Sequence, residues 1–328
     1  MRPVCERGNL ERQADNEARN GRGREPFRHE ALLYEGVDGF VDGTVPFLRA
    51  GAIAGEAMLV VVNAAKIDAL REALGPDAPS VTFANMGDVG ANPGRIIPAW
   101  RTFVDAHPGQ PLRGIGEPIW ATRSSAELVE CQRHEALLNV AFADATGFAL
   151  LCPYDVEALD PAVIEKAHQS HPVVVSDGAQ TASASYVALA EGAEPFTEPL
   201  PAPPEDADAL AFERAALGSV RGLVASRALA AGLSAERVGD LVLAVNELAT
   251  NSVKHGGGQG ILRVWFEPGA VVCEISDNGA IVEPLAGRRR PGSGDVGGHG
   301  LWLCNQLCDL VQIRAFPGGG VVRLHMRL

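Results

Sequence analysis

Residues 194–206 read EPFTEPLPAPPED, and five prolines in thirteen positions forbid both a continuous helix and a central strand there. A chain carrying such a break at its middle is expected to fold as two units joined by a Pro-rich linker, here 194–207. The flanking segments are 26–193 and 208–328, both long enough to bury a core of their own. Residues 1–25 are rich in Arg, Glu, Asn and Gly with almost no large apolar side chain, and read as a disordered tail.

Charge separates the segments further. The 328 residues carry a formal net charge of −13, which argues against a general binder of nucleic acid or of anionic membrane. Residues 26–204 hold 10 basic and 23 acidic side chains, whereas residues 205–328 hold 12 and 13. The acidity therefore belongs to the first unit, and the second is close to neutral. No apolar run approaches the roughly 18 residues of a membrane span. The first residues lack the apolar core of a secretory signal, so a cytoplasmic location is expected. The six cysteines, at 5, 131, 152, 273, 304 and 308, form no CxxC pair and show no histidine spacing typical of zinc. They are expected as buried, reduced thiols, with Cys304 and Cys308 on one helix face where an oxidant could join them.

In the first unit short apolar runs alternate with helical patterns. Strands are expected at 57–62, 81–83, 115–120, 149–152 and 173–175, and helices at 65–74, 97–106, 124–142 and 161–169, with Ser124 or Ser125 as an N-cap. Such alternation implies a largely parallel α/β sheet. Residues 180–185, rich in Ser and Ala, read as a loop or a helix of small residues. The second unit differs: helices are expected at 209–232 and 234–255, a hairpin at 261–276, a helix at 301–310 and a closing hairpin at 311–327. Helices in one block and strands in another make it α+β, with an antiparallel or mixed sheet.

Three segments of this second unit carry chemistry together. In LVLAVNELATNSVKHG (241–256), Glu247, Asn251 and His255 recur every four residues and stack on one face of an otherwise apolar helix. Such a stripe is costly to bury unless it faces a ligand. Ser276-Asp277-Asn278-Gly279 ends a strand with a carboxylate and a glycine that lets backbone approach a flat ligand. The segment 292–301, with Gly297, Gly298 and Gly300, runs into a helix start whose free N–H groups suit an anion.

That order of helix, hairpin, DxG, glycine-rich segment, helix and hairpin resembles the GHKL (Bergerat) ATP-binding fold over residues 208–328. It is most similar to the anti-sigma-factor serine kinases of bacterial partner switching, with Val220-Arg221, the helix box, the DNG and GGHGLWL (297–303) carrying the likeness. The resemblance implies ATP and Mg²⁺ as cofactors. It makes Asn251 the Mg²⁺ ligand and has Asp277 bond the adenine amino group beside Gly279. Gly297, Gly298, Gly300 and Leu301 close over the phosphates, and Glu247 is the general base. His255 is assigned to capping the helix or supporting Asn251, and Arg288-Arg289-Arg290 to a lid that touches phosphate or a partner. His299 stands where the family often has Arg. The implied partners are a sigma factor, a STAS-type anti-anti-sigma factor phosphorylated on Ser or Thr, and a second copy of the chain, in stress-responsive control of transcription. GHKL chaperones and gyrases, which carry a transducer domain after the ATP site, are the weaker match.

The first unit resembles the MEDS sensory domain, through Phe27-Arg-His29-Glu30, Ala31-Leu-Leu-Tyr34, Leu112-Arg-Gly-Ile-Gly-Glu117, Leu151-Cys-Pro-Tyr-Asp155 and His171-Pro172. MEDS domains are similar to RecA/KaiC-type α/β ATPases. The phosphate-loop position is expected at Gly51–Ala57, where no GxxxxGK[ST] occurs, so the unit is read as a non-hydrolysing sensor of a small molecule. His29, Tyr154 and His171 are candidates for its pocket. Two other readings stay open: a sensor histidine kinase with His134 of the HE pair as phosphoacceptor, and a non-catalytic ATP-binding regulatory module in which Glu247 is idle.

Overall fold

The computed structural model describes residues 25–189, 198–292 and 298–328. The tail 1–24, Gly297 and residues 194–197 of the Pro-rich stretch lie outside the described residues.

In the first unit the elements run β1 (Arg28–Tyr34), α1 (Gly36–Ala54), β2 (Ala57–Val62), α2 (Ala64–Leu74), β3 (Val81–Asn85), α3 (Met86–Val89), α4 (Ile96–Asp105) and β4 (Leu112–Gly116). They continue with α5 (Ser125–Ala141), β5 (Phe148–Asp155), α6 (Pro161–Ser170), β6 (Val173–Ser176) and β7 (Ala179–Ala182). The sheet order is β3-β2-β4-β5-β1-β6-β7, parallel throughout except for β7. Apolar runs such as Ala57–Val62 become strands because helices cover both faces of the sheet. Phe40 and Leu48 of α1 and Ile67 and Leu70 of α2 pack on one face, Trp100 of α4 and Leu137 and Leu138 of α5 on the other. The close approach of Trp100 needs glycine in β4: a Cβ at Gly114 would lie 2.8 Å from its ring.

Local signals set the ends of the helices. Ser124 caps α5 in a full capping box with Glu127, and Asp160 caps α6 ahead of Pro161. Helix α5 is gripped on two faces, with a partly exposed stripe at Val129, Gln132, Ala136 and Val140 between them. Glu127, Glu130, Arg133, His134 and Glu135 are buried together with its apolar residues, because the sheet covers one side and the second unit the other.

The second unit runs β8 (Asp208–Glu213), α7 (Leu217–Ala230), α8 (Ala235–His255), β9 (Gln259–Glu267), β10 (Ala270–Asp277), α9 (His299–Leu307), β11 (Leu310–Phe316) and β12 (Gly319–Arg327). Its sheet, in the order β11-β12-β10-β9-β8, is antiparallel throughout. Val271, Cys273 and Ile275 of β10 meet the three helices in one core, while Glu274 alternates to the opposite face and binds Arg323 of β12 at 2.6 Å. The chain is thus a mixed α/β protein with two sheets.

Four expectations are corrected. Residues 208–213 form an edge strand, not the start of a helix. Phe212 is the buried member of the run and packs over Gly260, where a Cβ would lie 2.6 Å from its ring, so contact with β9 overrides the helical preference of the alanines. The strand expected at 115–120 runs instead from Leu112 to Gly116. Residues 179–182 pair with β6 as an antiparallel edge. Gly51–Gly55 is the C-terminal end of α1, closed by Gly55 at φ 69°, so it leads from helix into strand. A phosphate loop leads from strand into helix, and that position here is the turn between Tyr34 and Gly36.

Candidate functional site

Ser234 caps α8, and Val238, Leu241, Val245 and Leu248 fix its apolar side on the core. Glu247 and Asn251 are left half-buried, and His255 is exposed at the last residue. The end of β10 brings Asp277 beside the last turn of α8. Its Oδ2 accepts the Ser252 hydroxyl at 2.5 Å, and its Oδ1 accepts the Gly279 amide at 2.7 Å. Each oxygen keeps one further lone pair. Backbone closes tightly around this carboxylate. A Cβ at Gly256 would lie 2.5 Å from its Cγ, and one at Gly279 would lie 2.9 Å from Oδ1 and 3.0 Å from the His255 carbonyl. Asn251, His255, Asp277, Gly279 and Leu301 line one cavity of about 90 Å³, walled by Leu248, Ile275, Ile281 and Val322. It is a slot for the edge of a flat ring, with a carboxylate at its end.

The start of α9 stands over the polar stripe. A Cβ on Gly300 would lie 2.8 Å from Asn251 Nδ2 and 3.5 Å from Glu247 Oε2. Gly298 enters the helix at φ 77°, a left-handed conformation that glycine adopts without strain. His299 is exposed. A carboxylate and a carboxamide on one helix face, under a glycine-rich helix start, are donors suited to a hard cation that also binds phosphate oxygens. The residues present therefore fit a Mg²⁺-bound nucleotide. Arg221 of α7 donates to Asn246 at 2.9 Å on the adjoining face of α8.

Arg288 departs from its expected role in the lid. It is 3% exposed and points away from the slot, donating to the Pro93 carbonyl at 3.3 Å and meeting Glu130 Oε2 at 3.4 Å. Arg289 and Arg290 are exposed. Cys304 and Cys308 are fully buried, and burial pushes the Cys308 thiol up to about 12. The five described cysteines are all free and buried.

In the first unit His29, Tyr154 and His171 come together in the core. The imidazole rings stand 4.0 Å apart, and the Tyr154 ring is 5.6 Å from His171. Sequence reading missed their neighbours. Glu135 of α5 and Cys152 of β5 enter the same cluster, with Glu135 Oε2 3.1 Å from His29 Nε2 and 3.3 Å from His171 Nε2. Burial first, and then the neighbouring His171 imidazole, push His29 down to about 4. Burial raises the Glu135 carboxyl, but the two histidines outweigh it and hold the group below the usual carboxylate range. The available signal was Glu135 and Asn139 one turn apart on an otherwise apolar stretch of helix. His134, the candidate phosphoacceptor, is 1% exposed, and burial pushes it down to about 3. Its ring is buried in the core, where solvent does not reach it.

The opposite face of the same sheet opens into a cavity of about 1150 Å³ lined by Arg28, Glu30, Tyr34, Asp42, Phe47 and Arg113. At the C-terminal ends of β1 and β4, where open α/β sheets receive ligands, Lys66 meets Glu117 at 2.5 Å and also bonds the Tyr34 hydroxyl. Sequence reading placed no lysine in this region.

The two units share a buried polar boundary. Glu130 binds Arg314 at 2.8 Å, Arg133 donates to the Ile313 carbonyl at 3.0 Å, and Glu127 pairs with Arg327. Asn92 Nδ2 donates to the carbonyls of Asn305 and Cys308 at 3.2 and 3.1 Å, and Arg95 donates to the carbonyls of Asn305 and Gln306 at the C-terminal end of α9. From the linker, the carbonyls of Glu198 and Pro201 accept from Arg314 and Arg323.

Residues 28–172 match the family model of the MEDS domain, the methanogen/methylotroph, DcmR sensory domain. Residues 210–326 match that of the histidine kinase-like ATPase domain. A crystal structure of the RsbU and RsbW domains of Rv1364c from Mycobacterium tuberculosis is similar at 20% identity. That match covers 37% of this chain and 32% of the other, with a TM-score of 0.28, so this chain spans about a third of that structure's length. No curated protein matches. Among the described residues no helix is long and apolar enough to cross a membrane.

Proposed function

We propose that this chain, a MEDS domain followed by a histidine kinase-like ATPase domain of GHKL type, is a partner-switching regulator. Its second unit binds Mg²⁺-ATP, sequesters a sigma factor and phosphorylates a Ser or Thr of a STAS-type antagonist. The observation that supports this best is the convergence of Asn251, Asp277, Gly279 and Leu301 on one slot, with Glu247 and Gly300 beside it. Asp277 accepts the exocyclic amine of the base, and Gly279 keeps that edge free of side chain. Asn251 holds Mg²⁺, and the amides at the start of α9 receive phosphate oxygens. Mg²⁺-ATP supplies the phosphoryl group and neutralises charge as it is transferred. Glu247, one turn from Asn251, takes the proton of the acceptor hydroxyl. The first unit, in this reading a RecA/KaiC-derived sensor without a phosphate-binding lysine loop, biases the switch through the boundary at α5.

The test is a pull-down with and without ATP, followed by transfer of labelled γ-phosphate to the recovered partners. Capture of a sigma factor and of a STAS-type protein that becomes phosphorylated on Ser or Thr is expected. Recovery of neither from wild type refutes the reading. Transfer undiminished in Glu247→Ala refutes the role of Glu247, and capture of the partners without any transfer by wild type leaves the binding module.

A further inference from the structure

Four side chains distant in sequence meet in the core of the MEDS unit: His29 from β1, Glu135 from α5, Cys152 from β5 and His171 from the end of α6. Each is 2% exposed or less. Their donor atoms all lie within 4.8 Å of one another, with three of the separations at 3.1, 3.3 and 3.4 Å.

The outer contacts decide how the histidines are protonated. His29 Nδ1 lies 3.2 Å from Asn139 Oδ1, and the Asn139 amide nitrogen is engaged with the Ser170 carbonyl at 2.8 Å, so that oxygen faces the ring as an acceptor. His171 Nδ1 lies 2.8 Å from the Ala167 carbonyl, which can only accept. Both Nδ1 atoms therefore carry hydrogen, and both Nε2 atoms turn toward the Glu135 carboxylate. Fixing the tautomer from outside in this way is how proteins aim an imidazole lone pair at a metal.

A buried carboxylate with two imidazole Nε2 atoms turned toward it needs a cation among them, either a proton or a metal ion. A proton on one Nε2 satisfies a single pair of atoms. It does not serve the second Nε2, 3.3 Å from the same Glu135 oxygen, or the Cys152 sulfur, 3.4 Å from His29 Nε2. One metal ion takes all four donors. Bond lengths of about 2.0–2.1 Å to nitrogen and 2.3 Å to sulfur put tetrahedral ligand–ligand edges at about 3.3–3.6 Å, close to the separations already present.

We propose that His29, Glu135, Cys152 and His171 form a buried four-ligand site for a divalent transition-metal ion, with zinc the best match to two imidazoles, one carboxylate and one thiolate. No vacant coordination position is provided, so the ion holds β1, α5, β5 and α6 in register and does not activate water. Binding releases the Cys152 proton to solvent. The inference is independent of the ATP site and stands or falls apart from the partner-switching reading.

The test loads the chelator-treated full chain with zinc, and separately with cobalt(II). Expected are one equivalent bound per chain, a rise in Tm, and a cobalt spectrum with tetrahedral bands and a thiolate charge-transfer band. Cys152→Ser should abolish the charge-transfer band, and His171→Ala should weaken zinc binding at least 100-fold. X-ray absorption on the loaded wild-type protein should find one sulfur among nitrogen and oxygen ligands, a readout that needs no variant to fold. No zinc uptake by wild type, no sulfur neighbour, or undiminished binding in His171→Ala overturns the proposal.

Discussion

Glu130 of the MEDS unit and Arg314 of the ATPase sheet form a 2.8 Å ion pair in which neither side chain is more than 3% exposed. Arg288 and Arg133 approach the same carboxylate at 3.4 and 3.7 Å. Removing the carboxylate alone strands buried guanidinium groups, which costs about 3–5 kcal/mol. Glu130→Ala should therefore lower unfolding stability by about that amount in denaturant titration, and Glu130→Ala combined with Arg314→Met should recover part of it. A loss below about 1 kcal/mol in the single variant would show that the two units do not hold this contact in solution.

Gly300→Ala tests the slot from above. Its Cβ would press to 2.8 Å from Asn251 Nδ2. ATP affinity by calorimetry should fall at least tenfold, with Tm shifted far less than by a core substitution. Gly318→Ala, which meets no atom within 4 Å and lies in the turn before β12, should leave ATP affinity unchanged despite its strained φ of 93°.

Glu247→Gln separates binding from chemistry. General-base assistance contributes about 10²–10⁴-fold, so phosphotransfer should drop by that factor while ATP affinity stays within about threefold. Asp277→Asn should do the reverse and abolish ATP binding, because its amide presents a hydrogen where the base needs an acceptor.

Acid should destabilise the chain in a defined window. His29, pushed to about 4, and His134, pushed to about 3, stay neutral when folded, whereas unfolded histidine titrates near 6.5. The unfolded state therefore binds more protons as pH falls below 6.5, and stability declines from there until pH reaches about 3–4. Glu135, held below the usual range, adds loss in the same direction at the acid end. Chemical denaturation of chelator-treated protein between pH 7.5 and 4 should show a monotonic fall, and His134→Gln should reduce its slope.

Thiol labelling should also follow burial. Cys131, Cys152, Cys273, Cys304 and Cys308 all have raised thiol pKa values, burial being the largest cause in each. Iodoacetamide at pH 8 should modify none of them in the native chain and all of them in denaturant, read by peptide mass spectrometry.

Much of this was legible from local signals. The apolar run at β2, the Ser124 and Ser234 caps and the two hairpins of the second unit follow from periodicity and turn residues. The stripe Glu247–Asn251 and the DxG at 277–279 were visible because each is a short motif whose geometry is local. What escaped depends on tertiary contact. Strand β8 forms only because Phe212 finds Gly260 on β9. Arg288 reads as a phosphate-binding lid residue until Glu130 of the other unit claims it. His29, Tyr154 and His171 were grouped through the family resemblance, but Glu135 and Cys152, over a hundred positions from His29, follow no spacing rule and looked solitary.

Helix α5 is gripped by both units, each on its own face. Its Glu135 belongs to the core of the MEDS unit, and its Glu130, a turn and a half earlier, belongs to the ATPase sheet. A rod held on two faces has little freedom to absorb a displacement by bending. Whatever moves Glu135 by an ångström must either drag the Arg314 strand along or break its ion pair. The two units are therefore wired in series through one rigid part, with no slack at the junction.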